Sequence, residues 1–173
     1  IDGMLFLAQA DQARMALQMS AMKAARELLA VTEFYQALAD EQGVTISLSG
    51  DVDFIADPML VRRALSNLLS NALRHTPRGG LVQLQAGRIE GATELSVRDN
   101  GSGIAAEHHA KLGDRFFRVD ESRSIGQPGY GLGLAIVRSI MLLHSGKLRI
   151  ESEPGTGTVV VLRFPDPGAP PVA

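Results

Sequence analysis

The sequence predicts an α/β (α+β) domain built on one mixed, largely antiparallel sheet covered on one face by helices. Strand-like segments come in pairs, and most pairs can close as hairpins. A doubly wound parallel sheet would instead alternate strands and helices singly. Helix-period segments separate the pairs. The chain is long enough for one sizeable core, with 173 residues, 45% hydrophobic and 21% charged.

Residues 1–40 contain no proline and are rich in Ala, Leu, Met, Gln and Glu, strong helix formers. Leu5, Ala8, Gln12, Met15, Met19 and Met22 recur at helical spacing, which we read as a packing stripe rather than a thioether metal site. A second helix covers Ala24 to Glu41 and stops at Gly43. Val44, Ile46 and Leu48 alternate with polar residues as a strand, and Val52 to Ala56 forms another after a turn at Gly50-Asp51. Asp57 and Pro58 offer an N-cap and a first-turn proline to a helix that reaches His75, where Thr76-Pro77 and Gly79-Gly80 stop it. Leu81 to Ala86 and Glu94 to Arg98 are strands around a turn at Gly87 to Gly91. A short helix at Ala105 to Leu112 precedes an aperiodic stretch from Gly113 to Gly129, a long loop of the kind that is usually functional. Leu132 to His144 is helical, and Leu148 to Glu153 and Thr158 to Phe164 are strands joined at Pro154-Gly155. The Pro-, Gly- and Ala-rich end, 166–173, is expected to be disordered.

Several function classes drop out. Net charge is −2 and the few aromatic residues do not interleave with basic ones, which argues against nucleic acid as a partner. The absence of cysteine removes disulfides, thiol catalysis and cysteine metal sites. The apolar runs are too short to span a bilayer and no signal peptide opens the chain, so it reads as not itself membrane-bound. Ile1 to Leu7 reads as mid-helix sequence, and the chain is expected to be a piece of something longer.

The helix from Pro58 has two faces. Leu60, Ala64, Leu65, Leu68, Leu69, Ala72 and Leu73 form an apolar stripe, while Asn67, Asn71, Arg74 and His75 share another. Amide oxygens suit Mg²⁺ and Arg74 suits phosphate. The bland alternative is a solvated polar face, although two mid-helix asparagines, poor helix formers, ask for a reason. Further on, a strand runs into Asp99-Asn100-Gly101-Ser102-Gly103-Ile104. There a carboxylate can accept from an exocyclic amine while glycines let backbone approach a flat ring; taken alone, the motif is read first as an ordinary tight turn after a strand. Gly129-Tyr130-Gly131-Leu132-Gly133-Leu134 opens a helix and can present N–H groups to an anion. It lacks the Gly-Lys-Ser/Thr of a Walker A loop and the preceding strand and spacing of a dinucleotide fingerprint.

In chain order, Asn67-Leu-Leu-Ser-Asn71-Ala, Asp99-x-Gly101-x-Gly103, Phe116-Phe117, Gly129-x-Gly131-Leu-Gly133-Leu and Gly155-x-Gly157 resemble the N, G1, F, G2 and final glycine boxes of histidine-kinase catalytic domains, relatives of gyrase and Hsp90. The resemblance covers residues 33–165. It implies the Bergerat (GHKL) fold, a two-layer α/β sandwich holding ATP between the asparagine helix and the long loop. It implies that Asn71 ligates Mg²⁺ with Asn67 on the phosphate side, the two forming the catalytic pair. Asp99 would read the adenine amino group, with Gly101, Gly103, Ile104 and Thr158 around the nucleotide, Arg74 on phosphate and His75 against the purine. Gly129, Tyr130, Gly131, Leu132, Gly133 and Leu134 would form the lid hinge and its phosphate-facing N–H groups. Lys111, Arg115 and Arg118 would be lid-side phosphate contacts. The implied function is transfer of the γ-phosphoryl group of ATP to a histidine and onward to a response regulator.

Hydrolysing relatives carry a glutamate four residues before the Mg²⁺ asparagine. Asn67 stands there and is not a base, so transfer to a protein acceptor is favoured over hydrolysis. The alternatives are such an ATPase, an anti-sigma type serine kinase, and a non-catalytic nucleotide-binding interaction module; intact Asn71, Asp99 and glycine boxes weigh against the last. Gly113 stands where the family often has phenylalanine, which implies looser lid packing. His75, His108, His109 and His144 all lack the acceptor-box context, so the chain is not expected to phosphorylate itself. His108 and His109 point apart, and His144 is expected near helix-end carbonyls. Residues 1–22 resemble the end of a second dimerisation helix and its linker, and 23–165 the ATP-binding domain. The wording of residues 4–11 and 67–77 is similar to heavy-metal-responsive bacterial sensor kinases. The implied partners are the parent kinase's dimerisation and histidine-phosphotransfer helices and a response regulator. The parent would be an inner-membrane sensor with this part cytoplasmic, and the piece alone monomeric.

Overall fold

The computed structural model describes residues 2–11, 16–114, 116–117 and 131–165. The elements run α1 (Asp2–Asp11), β1 (Ser20–Lys23), α2 (Ala24–Gln42), β2 (Thr45–Ser49), β3 (Asp53–Ala56), α3 (Pro58–His75), β4 (Leu81–Ile89), β5 (Ala92–Asp99), α4 (Ala106–His109), α5 (Gly133–Leu143), β6 (Lys147–Glu153) and β7 (Gly157–Pro165). The main sheet has the order β2-β4-β5-β7-β6, with β2 parallel to β4 and every other neighbour antiparallel. β1 and β3 form a separate antiparallel ribbon. Helices pack on the sheet's apolar face, so the mixed sheet with one helical layer is as the sequence predicts.

Rows of cross-strand partners make that face. Leu84, Val97, Val160 and Ile150 form one row, and Ala86, Leu95, Leu162 and Leu148 the next. A third row on the same face starts at Val82 and then turns polar through Asp99, Thr158 and Ser152.

α3 lies against these rows because its signals agree. The Asp57 carboxylate accepts from Met59 N and Leu60 N at 3.1 and 3.2 Å, and Pro58 occupies the first turn. Leu60, Leu65, Leu69 and Leu73 are fully enclosed, and Thr76 closes the helix on the Ala72 carbonyl. Leu69→Ala should therefore destabilise the domain by roughly 2–5 kcal/mol, measured by urea unfolding, through lost transfer energy and the cavity left behind.

Four readings need correction. The methionine stripe does not continue as helix: among the described residues α1 ends at Asp11, and Ser20–Lys23 is a strand. Tertiary pairing overrides local propensity here, for Met22 sits opposite Phe54 and the Lys23 ammonium bonds the Asp53 carboxylate at 3.1 Å. α2 then starts under trans-capping, with Asp51 accepting from Ala25 N. β2 and β3 do not form a hairpin, because Ile46 and Leu48 join the apolar rows only beside Val82 and Leu84 of β4. β4 and β5 extend past the predicted turn to a two-residue loop, with Glu90 at φ 49° and Gly91 at φ 71°. The helix predicted at Ala105 to Leu112 is a single turn, Ala106–His109.

α1 docks on α5. Phe6 and Leu7 are buried, and the Arg63 guanidinium of α3 lies 4.3 Å from the Phe6 ring centroid. Among the described residues no helix is long and apolar enough to cross a membrane. Residues 166–173 lie outside the described part.

Candidate functional site

The polar end of the third sheet row starts the site. Asp99 ends β5 and is only 9% exposed, its Oδ1 accepting from Gly101 N at 2.9 Å. Burial pushes its carboxyl pKa up, while the Gly101 and Thr158 backbone N–H groups and the nearby His75 charge pull it partly back. The loop after Asp99 is stitched to its surroundings. Gly101 packs on the His75 carbonyl, and Ser102 N donates to that same oxygen at 3.3 Å. Gly103, at φ 65°, lies against the Glu153 carbonyl, and Gly157, at φ 111°, against the Asp99 carbonyl. Ile104 N donates to Ser152 Oγ at 2.8 Å, which donates to Gly157 O at 3.0 Å and meets Thr158 Oγ1 at 2.8 Å.

Ser152 is absent from the sequence-predicted set. Its signal was present, since it follows Leu148 and Ile150 in the inward phase of β6, where a hydroxyl needs a partner.

The second cluster joins α3 to α5. Asn67 Nδ2 donates to the Arg63 carbonyl at 2.8 Å. Its Oδ1 faces the first residue of α5: a Cβ on Gly133 would stand 3.2 Å from Asn67 Oδ1 and 3.7 Å from Asn71 Nδ2. Glycine at this point lets the amino end of α5 abut both asparagines. Leu132 makes no side-chain cap there. Leu132 and Leu134 are half-buried against the core, so what they offer a ligand is chiefly backbone. Arg74 and His75 are exposed on the last turn of α3, between the two clusters.

Gly131, at φ 64°, packs on the Phe116–Phe117 backbone, and Phe116 N donates to its carbonyl at 3.1 Å, so the two described ends of the long segment meet. Gly113 stands at φ 91°, a backbone that phenylalanine would strain to adopt, so that departure changes the chain path as well as the packing. Lys111 Nζ lies 5.9 Å from the Phe117 ring centroid. Arg115, Arg118, Gly129 and Tyr130 lie outside the described residues.

His108 meets Phe117 while His109 bonds the Ile104 carbonyl, so the adjacent pair points apart. His144 bonds the Ile140 carbonyl at 2.8 Å, as expected for a helix end, and also accepts from Asp57 N at 3.0 Å, tying α5 to the α3 cap. Among the described residues no three His, Cys, Asp or Glu side chains gather as a metal site.

The donor set suits a magnesium nucleotide. Amide oxygens and an uncapped helix start serve phosphate and a hard cation, and a buried carboxylate beside tight glycine loops serves a base. Comparison with known proteins gives the family. Residues 56–168 match the family described as histidine kinase-, DNA gyrase B- and HSP90-like ATPases. The chain is 42% identical over 165 residues to the sensor protein IrlS of Burkholderia pseudomallei, covering 95% of this chain and 36% of that protein. It is 42% identical over 166 residues to the sensor histidine kinase CusS of Escherichia coli K12, covering 95% and 34%. Full-length ShkA, solved in complex with AMPPNP, superposes with a TM-score of 0.85 at 28% identity, over 99% of this chain and 36% of that one. The chain thus spans about a third of the length of these curated relatives. It belongs to the family of histidine kinase-, DNA gyrase B- and HSP90-like ATPases.

Proposed function

We propose that this domain binds Mg-ATP and donates the γ-phosphoryl group to a histidine on its parent's dimerisation helices, for onward transfer to a response regulator. The observation that carries this is the facing of Asn67 and Asn71 onto the start of α5 at Gly133. Two amides and free helix N–H groups there can position phosphate, and neither amide can activate water as a glutamate would. Asn71 would hold Mg²⁺, which neutralises charge on the phosphates. Asn67 would orient phosphate oxygens, its amide fixed by the Arg63 carbonyl. Asp99 would accept from the adenine amino group, with Gly101, Gly103, Ile104 and Thr158 around the base and His75 and Arg74 between base and phosphates. Lys111, Arg115, Arg118, Gly129, Tyr130 and Gly131 complete the proposed phosphate side. In this reading residues 23–165 are the ATP-binding unit and 1–22 the end of a dimerisation helix and its linker. The parent is a membrane-bound sensor with this domain in the cytoplasm. The likeness of residues 4–11 and 67–77 to heavy-metal-responsive kinases supports that class of signal.

The test uses γ-labelled ATP and the separately expressed acceptor helices of CusS. Acid-labile label should appear on the supplied helices and not on this chain, and Asn71→Ala should reduce it by at least about 100-fold. Steady release of phosphate with no labelled acceptor would favour an ATPase instead.

A further inference from the structure

Ser152 Oγ has one proton and two lone pairs to distribute among three neighbours. Ile104 N–H fills one lone pair at 2.8 Å, and the proton goes to the Gly157 carbonyl at 3.0 Å. The remaining neighbour, Thr158 Oγ1 at 2.8 Å, must therefore donate its proton to Ser152. Ser152 is 9% exposed, so water does not readily replace these partners. With its proton committed, Thr158 presents only lone pairs on its other side. Asp99 is its cross-strand partner on the same face, and a carboxylate also accepts. The two side chains of this wall, Thr158 and Asp99, then offer acceptors alone.

The geometry points to Ser152 as a specificity-determining residue: by taking the Thr158 hydroxyl proton, it makes this wall select a purine with an amino group at position 6 over one with a keto group. The inference rests on the nucleotide-binding reading above. A 6-amino group donates to the wall, whereas a 6-keto oxygen faces acceptors and finds no donor. Ser152 touches no ligand itself and acts through Thr158 and the Ile104 backbone, so it is a positioning residue.

The test is calorimetric titration of the chain with Mg-ATP and with Mg-ITP, the inosine nucleotide that carries oxygen at position 6. Ser152→Ala frees the Thr158 hydroxyl to rotate and donate, and should narrow the ITP-to-ATP ratio of Kd values by about tenfold, while Ser152→Thr, which keeps the hydroxyl, should hold the ratio to about twofold of wild type. A purely structural role would weaken both nucleotides together and leave the ratio unchanged, and that result overturns the inference. Thr158→Val preserves shape on the strand and removes the hydroxyl, so the inference stays testable if Ser152→Ala fails to fold. It removes an acceptor without supplying a donor, so it should narrow the ratio less than Ser152→Ala does, and adding Ser152→Ala to it should narrow the ratio no further. Additive narrowing, or an unchanged ratio in Thr158→Val, also overturns the inference. Wild type binding neither nucleotide defeats the nucleotide-binding reading itself, and the inference with it.

Discussion

Asp99→Asn should abolish Mg-ATP binding, weakening it by at least about 100-fold, and raise the melting temperature of the nucleotide-free domain. The first effect follows from replacing an acceptor by a group that presents N–H protons toward the base. The second follows from the direction of the Asp99 shift. Its folded pKa is raised, chiefly by burial. A raised carboxyl contributes stability below the unfolded value of 3.8, and that contribution is lost as pH rises through the folded value. Above its folded pKa the empty domain therefore carries an ionised, poorly solvated carboxylate as a destabilising feature. The neutral amide removes that penalty and its oxygen keeps the Gly101 N–H bond, while a weakened bond from the Thr158 N–H offsets part of the gain. A gain of a few degrees is the expected scale. Scanning calorimetry with and without Mg-ATP reads both effects together. A variant that melts lower than wild type, or that binds ATP within about tenfold of it, would sink the assignment.

The site elements legible in the sequence are those whose signals are local. Asp57-Pro58 and Thr76-Pro77 bracket α3 to the residue, and the inward leucines of that helix follow one stripe. The glycine loops were legible because their φ angles and close approaches admit little else at Gly103 and Gly157. Pairings made by distant residues were not legible. Ser20–Lys23 has helix-forming neighbours, and only Phe54 and Asp53, some thirty positions on, draw it into a strand. The parallel placement of β2 beside β4 depends on a crossover through α3, which strand spacing alone does not encode. Ser152 falls between these cases. Period two marked it as an inward polar residue, but its partners Ile104, Gly157 and Thr158 come together only when β6 and β7 close against the Asp99 loop.

Gly103→Ala should be among the most damaging single-methyl changes within the described residues, costing at least about 3 kcal/mol, or preventing folding. Two terms add. A left-handed φ of 65° costs an alanine about 1–2 kcal/mol anywhere. The added Cβ would also overlap the Glu153 carbonyl. Neither side can yield cheaply, since Gly155 N donates to Ser102 O at 2.8 Å and Ile104 N to Ser152 Oγ at 2.8 Å, clamping the loop to the β6–β7 hairpin. Gly91→Ala is the control that separates the two terms. It has nearly the same backbone, φ 71°, but a Cβ there meets nothing within 4 Å. It should therefore cost only the conformational term, about 1–2 kcal/mol, in the same urea titration. A large gap between the variants means that glycine is required at 103 by contact with the hairpin, which would make the Asp99 loop and the β6–β7 turn one rigid wall. Equal losses would mean that the clamp gives way, and a wall that soft could not hold the Thr158 hydroxyl in one orientation.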